Sequence, residues 1–239
     1  MFSLRLLPKN PDESARSWVY RVVLEAIVHL DLEPTAPLDT DELRALFQLS
    51  RTPIREALIQ LAQEGFVTLL PQRGSYVAPI DPAEVEKARF IRLCLEKEIL
   101  ARACSCCGQA AYRTLRYLLD CQADAIEAND DRLLYELDEK FHATYFEACR
   151  RGNIWAYLRR NNLHFHRFRV LNMTMRDMRR YTYRHHEELF ATLRKRDEKA
   201  AVAAIENHLD IGKWGASDML KRNPRWLVPS DMPNGDEIG

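Results

Sequence analysis

Ser50-Arg51-Thr52-Pro53-Ile54-Arg55-Glu56-Ala57-Leu58 decides the fold, because these nine residues hold a helix cap, a helix start and two arginines. The Ser50 hydroxyl can accept from the free N–H groups of a first turn, and Pro53 lacks the N–H that such a turn can spare. Arg51 and Arg55 stand four apart and so project from one side of the helix. Ile54, Leu58 and Leu61 fall on the opposite side and can anchor it to a core. A helix fastened on one face, with guanidinium groups near its N-terminus, suits the DNA major groove. The helix dipole favours phosphate there, and arginine can read guanine bidentately. A surface helix with arginines merely facing solvent is the blander reading, and the flanking sequence separates the two.

Upstream, residues 12–30 place Trp18, Val22, Leu24, Ala26 and Val28 at helical spacing, with Asp12 as a cap. Pro34 and Pro37 break that pattern within 31–37. Asp39 restarts a helix, and Glu42 three residues on completes a capping box; this second helix ends near Phe47. Gln48-Leu49 form the turn into the quoted stretch, and the third helix stops at Glu64-Gly65. Downstream, Phe66-Val67-Thr68-Leu69-Leu70 and Ser75-Tyr76-Val77-Ala78 are β-forming runs flanking Pro71-Gln72-Arg73-Gly74. That pattern predicts a hairpin. Three helices and a two-stranded wing make a winged helix-turn-helix. Arg73 at the wing tip can enter a minor groove or meet phosphate, and Gly74 lets the backbone turn closely.

The reading head is not basic. Residues 1–80 hold eight Lys and Arg against ten Asp and Glu, net about −2. DNA affinity must then come from the placement of a few arginines and from dimerisation, so a monomer should bind weakly. Over all 239 residues the formal net charge is zero, which excludes a uniformly basic coat but not a local reading surface.

With only 8 glycines and long segments of 3.6-residue period, the chain reads as mainly α. The expected organisation is an arm (1–11), a winged helix-turn-helix (12–78), a stiff linker (79–82) and a helical domain (83–222), then a poorly ordered tail (223–239). Asp81 caps the helical domain, with Pro82 at its first helical position. Helices are expected at 82–104, 109–127, 131–150, 154–175, 178–196 and 198–221, a bundle of six to seven antiparallel helices able to enclose a cavity. Asp131 and Asp197 read as N-caps and Gly152 as a helix stop. The six cysteines fall in helical, apolar segments without zinc-ribbon spacing and read as packing residues in a reducing cytoplasm. No signal peptide is evident, and no apolar run reaches the ~20 residues that span a bilayer.

Chemistry concentrates in the helical domain. Asp138 and His142 are four apart, sharing or flanking a face with Leu134, Phe141 and Tyr145. His186 aligns with Leu189 and Leu193, and His208 with Ala201, Ala204 and Ile205. One carboxylate and three imidazoles on inward faces match a divalent metal site with open positions, zinc or nickel best. Separately hydrogen-bonded core histidines are the alternative. His29, His164, His166 and His185 gain no such support, and His164 and His166 read as exposed or interfacial. No HExxH, nucleophile elbow or glycine-rich phosphate loop is present, so the chain reads as a non-enzyme. A metal holding a small carboxylate fits better.

These motifs together resemble a GntR-family transcriptional regulator of the FadR type with a C-terminal FCD ligand-binding domain, over roughly residues 15–215. The resemblance is carried by Leu49 to Leu58, Glu64-Gly65-Phe66-Val67 and Arg73-Gly74-Ser75-Tyr76-Val77. It is carried also by Asp138-x-x-Phe141-His142, Gly152-Asn153, and His186 and His208 each eleven residues from Asp197. It implies a homodimer on a near-palindromic double-stranded operator, most often as a repressor, with binding altered by a small organic acid. It implies that Arg51, Thr52 and Arg55 read bases while Ser50, Pro53, Arg73 and Gly74 lie at the DNA. It implies that Arg92, in Arg92-Leu93-Cys94-Leu95-Glu96, is the acid's partner. Three places depart from the family pattern: Pro34-Thr35-Ala36-Pro37 in place of Pro-Gly, Leu43-Arg44 in place of Leu-Ala, and Arg196 in place of a glycine.

Overall fold

The computed structural model describes residues 4–210 and Trp226, in two compact units, one holding residues 4–83 with Trp226 and one holding residues 84–210. The expected end of the last helix at Lys221 and the expected tail at 223–239 fall outside the described residues, Trp226 apart.

In the first unit, α1 (Ala15–Val28) and α2 (Thr40–Phe47) pack against α3 (Arg51–Gln63), followed by the strands β1 (Val67–Leu70) and β2 (Gly74–Val77). Val19, Val22, Val23 and Ile27 of α1 meet Leu43, Phe47, Ile54, Leu58 and Leu61 in the core. Trp18 closes one side, edge-on to Phe47 at 5.0 Å. Its indole N–H donates to the Leu7 carbonyl (2.8 Å) and Leu4 is buried, so part of the segment expected as an arm lies on α1. The cap of α1 is Ser14, accepting from the Ser17 N–H, rather than Asp12, because the helix starts three residues later than expected. Asp39 caps α2 by accepting from the Asp41 and Glu42 N–H groups.

The wing is antiparallel, with Val67 opposite Val77 and Leu70 opposite Gly74. Gln72 (φ 59°) and Gly74 (φ 104°) take the left-handed backbone that closes the turn; Gly74 suits it because no Cβ is there to clash. The break expected at 31–37 has a further role. Thr35 N–H donates to Val77 O (2.9 Å), Val77 N–H to Ala36 O (2.9 Å) and Leu38 N–H to Ser75 O (2.7 Å). Pro37 bridges Tyr76, so the segment is a third edge of the wing. Proline is tolerated because an edge strand leaves one row of N–H groups unused.

The second unit is all-helical: α4 (Pro82–Cys106), α5 (Gln109–Ala128), α6 (Asp131–Ala148), α7 (Gly152–Asn161), α8 (Leu163–Met173), α9 (Arg176–Lys195) and α10 (Glu198–His208). α5 packs on α6 and α9; α6 packs on α7 and α8; α9 packs on α8 and α10. Asp81 accepts from the Ala83 N–H (2.8 Å) and Asp197 caps α10 through the Ala200 N–H (3.0 Å).

Three expectations shift here. Asp130, not Asp131, caps α6, accepting from the Leu133 N–H at 2.9 Å. Gly152 opens α7 instead of stopping α6; the left-handed residue after α6 is Arg150 (φ 57°). The helix expected at 154–175 is two helices, broken at Asn162. That buried residue turns its amide to donate to the Ala88 carbonyl of α4 (3.1 Å), an attachment periodicity cannot show.

Candidate functional site

Two sites emerge, one in each unit. In the first, the buried residues Ile54, Ala57, Leu58 and Leu61 fasten α3 and leave Arg51, Thr52 and Arg55 exposed, with Pro53 half-buried in the first turn. Ser50 has the extended backbone of a cap, but its hydroxyl makes no capping bond, which leaves the first-turn N–H groups to other acceptors. α3 and the wing flank a groove of about 630 Å³, lined by Thr40, Arg51, Arg55, Ile59, Leu69 and Gly74 among others. Arg73 is exposed at the wing tip, where the Tyr76 hydroxyl donates to its carbonyl oxygen (2.9 Å).

Asp41 of α2 organises this surface. Arg44 Nη1 lies 2.8 Å from Asp41 Oδ1, and Arg51 Nη2 lies 3.3 Å from the same atom. The Arg44 and then the Arg51 hydrogen bonds hold the Asp41 carboxyl below its ordinary value. The extra charge at Arg44, where the family pattern has alanine, is therefore paired.

The second site lies between α4, α5, α6, α9 and α10. Asp138, His142, His186 and His208 are all buried, and one ligand atom from each falls within 4.8 Å of the others. Among the described residues this is the group able to hold a metal, and no cysteine joins it. Asp138 Oδ1 is 3.4 Å from His186 Nε2, and Asp138 Oδ2 is 3.8 Å from His142 Nε2. Asp138 Oδ1, His142 Nε2 and His186 Nε2 are sealed from solvent and make no hydrogen bond. Unsatisfied buried polar atoms are costly, and here they face one another, which is the donor set a divalent cation needs. The residues fit a metal.

The opposite ring nitrogens are committed. His186 Nδ1 donates to Gln122 Oε1 (2.8 Å), and His142 Nδ1 lies 2.7 Å from Glu96 Oε2. Such partners leave Nε2 to ligate. Phe141 stacks on His186 (4.4 Å, 9°) and Trp155 on His142 (5.9 Å, 6°), so both rings are held in plane. Burial pushes all three imidazoles below the ordinary histidine value, against the pull of Glu96 at His142; they are neutral, the form that binds metal.

Beside this cluster lies a buried charge network. Glu96 binds Arg92 Nε and the Tyr145 hydroxyl. Burial alone would raise the Glu96 carboxyl, but Arg92 and His142 hold it below the carboxylate range. Arg169 binds both Asp138 and Glu139, and burial followed by Arg92 lowers it to about 9, so it stays charged at neutral pH. Arg92 packs against Trp155 (5.1 Å) and Phe165 (5.7 Å), while its Nη1 and Nη2 atoms, fully enclosed, have no hydrogen-bond partner.

Comparison with known proteins identifies the family of each unit. The family model of the gntR family of bacterial regulatory proteins matches residues 16–77, and that of the FCD domain matches residues 88–211. The HTH-type transcriptional repressor RspR of Escherichia coli (strain K12) is 30% identical over 218 residues, covering 91% of this chain and 96% of that protein. The chain belongs to the GntR family.

Solved structures share the fold. A putative transcriptional regulator from Rhodococcus sp. RHA1 superposes with a TM-score of 0.67 at 19% identity, over 87% of this chain and 99% of that one. E. coli McbR/YncC gives 0.65 at 18% identity, over 89% and 99%. A GntR-family chain of this kind is a DNA-binding transcription regulator and not an enzyme.

Several residues of the FCD site escaped sequence reasoning. Glu96 and Gln122 are polar residues on otherwise apolar helix faces, and such a buried acceptor is the one local signal available. Glu139 and Arg169 gave none. Arg169 sits in the arginine-rich stretch 159–169, which reads as a solvated face, yet α8 is enclosed on nearly all sides. His166, expected to be exposed or interfacial, is buried for that reason. Cys104 and Cys107 are buried as expected of packing residues, whereas Cys94 and Cys106 are exposed; all six thiols are free. No helix among the described residues is long and apolar enough to cross a membrane.

Proposed function

We propose that this regulator is a FadR-type, acid-responsive repressor that acts in the cytoplasm as a homodimer on a near-palindromic operator. Residues 12–78 form its DNA-binding domain and 83–222 its effector-binding and dimerisation domain. Ser50, Arg51, Thr52, Pro53, Arg55, Arg73 and Gly74 meet the operator. Asp138, His142, His186 and His208 hold zinc or nickel, and Arg92 meets the carboxylate of a small organic acid.

One observation supports this reading above the others. Three orphaned ligand atoms, on Asp138, His142 and His186, converge on one point in the unit that also buries the two unpartnered Nη atoms of Arg92. A divalent ion supplies positive charge and open coordination positions for an anionic oxygen. Arg92 contributes a planar pair of donors suited to the two oxygens of a carboxylate. Repression is supported by the name of RspR. Dimerisation is supported by the reading head's net charge near −2, since so few cationic side chains need two copies aimed together.

The test is an operator titration on DNA upstream of the chain's own and neighbouring genes, with zinc-loaded protein and a panel of small carboxylic acids. Wild type should shift this DNA, and one class of acid should change the shift. Arg51→Ala or Arg55→Ala should lose about 1–3 kcal/mol of specific binding per base contact. His186→Ala with His208→Ala should stay folded while losing metal and the response to acid. Unchanged operator preference in the arginine variants would sink the reading-helix role. Full metal occupancy in the double variant, by elemental analysis, would sink the metal site.

A further inference from the structure

We propose that Cys106 and Cys149 are a redox-active thiol pair, joined as a reversible disulfide when the protein meets a peroxide. Neither cysteine belongs to the metal-ligand group, and the oxidation requires neither the metal nor the acid proposed above.

The two cysteines lie at helix ends. Cys106 is the last residue of α4, and Cys149 caps the C-terminal end of α6. Both line one open cleft of about 530 Å³, where Cys106 is exposed and Cys149 half-buried. The Cys149 thiol donates to the Ile99 carbonyl oxygen of α4 (3.7 Å). Ile99, Arg102 and Cys106 fall on one stripe of α4, at spacings of three and four residues. A helical carbonyl points along the axis toward the C-terminus, and a helical side chain leans back toward the N-terminus. The Ile99 carbonyl and the Cys106 side chain therefore converge on the turn between them, where the Cys149 sulfur sits. Burial first, and then the neighbouring Cys106 thiol, push the Cys149 thiol up to about 12.

Exposure sets the order of the chemistry. A thiolate is the nucleophile, and access to solvent beside cations favours it. Cys106 is the exposed member of the pair; Arg102 and Arg151 line its cleft together with Glu98 and Glu198, and Arg102 Nε is 2.6 Å from Glu98 Oε1. Burial makes Cys149 a poor first nucleophile and leaves it to resolve. It likewise raises the Cys104 and Cys107 thiols, Cys107 to about 11, which keeps both out of the first step. The Cys106 sulfur, its proton released, attacks one oxygen of hydrogen peroxide. The O–O bond breaks, and the departing hydroxide takes up that proton as water, leaving Cys106 as a sulfenic acid. The Cys149 sulfur then attacks the Cys106 sulfur. The S–S bond forms, the S–O bond breaks, and hydroxide leaves with the Cys149 proton as a second water. Two sulfurs have lost two electrons to one peroxide. The bond ties together the ends of α4 and α6, the helices that carry Glu96 and His142. In a reducing compartment such bonds are transient, which suits a sensor of oxidant.

The experiment exposes reduced full-length protein to a small excess of hydrogen peroxide, quenches it, counts thiols after denaturation and maps the products by peptide mass spectrometry. The six free thiols should fall to four, with Cys106 joined to Cys149, and dithiothreitol should restore six. Cys149→Ser should stop at a Cys106 sulfenic acid that dimedone traps. Cys106→Ser should form no disulfide, whereas Cys94→Ser, which removes another exposed thiol, should form the bond as wild type does. Six thiols retained by wild type, or oxidation without a Cys106–Cys149 bond, would overturn the proposal. If a serine variant does not fold, the mapping of wild type alone decides.

Discussion

His142 Nδ1 stands 2.7 Å from Glu96 Oε2, so a carboxylate on α4 governs which ring nitrogen α6 turns toward Asp138. The same carboxylate holds Arg92 and Tyr145. In the proposed function, metal ligation and acid recognition would therefore share one buried group. A change at Glu96 is felt at both.

Glu96→Gln keeps the shape of the side chain and removes its charge, which loosens the orientation of His142 without deleting a ligand. Zinc affinity should fall about 10–100-fold, the usual consequence of losing a partner behind a ligating histidine. Gln122→Leu should act similarly through His186. Competition with a chromophoric chelator measures both, and unchanged affinity would show that these contacts do not orient the ligands.

The loop Pro34-Thr35-Ala36-Pro37, which stands in place of a Pro-Gly, and Arg196, which stands in place of a glycine, each hold a non-glycine residue in the left-handed conformation. Thr35 has φ 68° and Arg196 has φ 56°. A left-handed backbone strains an L-residue, most of all a β-branched one. Thr35→Gly and Arg196→Gly should each stabilise their unit by about 0.5–1 kcal/mol, after the larger backbone entropy of glycine in the unfolded chain is subtracted. The gain should be greater at Thr35. Thermal unfolding reads it directly, and a lower midpoint in both variants would refute it.

The Arg21 guanidinium beside Glu13 pulls its carboxyl down to about 2 from the ordinary 4.5, with an N–H bond from Asn10 adding to the effect. A carboxyl depressed in the folded state adds stability above its unfolded value and loses it as pH falls through the folded one. The difference in stability between wild type and Glu13→Gln should thus be full above pH 4.5 and vanish toward pH 2. Melting curves across that range check the sign. A difference growing in acid would contradict it.

The sequence by itself determined the element types and the faces they bury, because both follow from local periodicity and turn chemistry. Ser50 to Leu58 marked the reading helix; Pro71 to Gly74 marked the wing turn. The spacing of Asp138, His142, His186 and His208 on apolar stripes selected the same four side chains that the folded chain gathers within 4.8 Å. An inward residue on each of three helices has few places to go except a common interior.

Only the tertiary structure decided which polar groups meet across helices. Glu96 reaches His142 over 46 residues of chain, Gln122 reaches His186 over 64, and Arg169 reaches Asp138 over 31. Asn162 splits a helix by bonding to a carbonyl 74 residues away. Arg169 reads as a solvated charge in sequence because hydropathy assigns arginine to water. Enclosure of α8 on nearly all sides leaves it buried instead, where carboxylates on α6 compensate its charge.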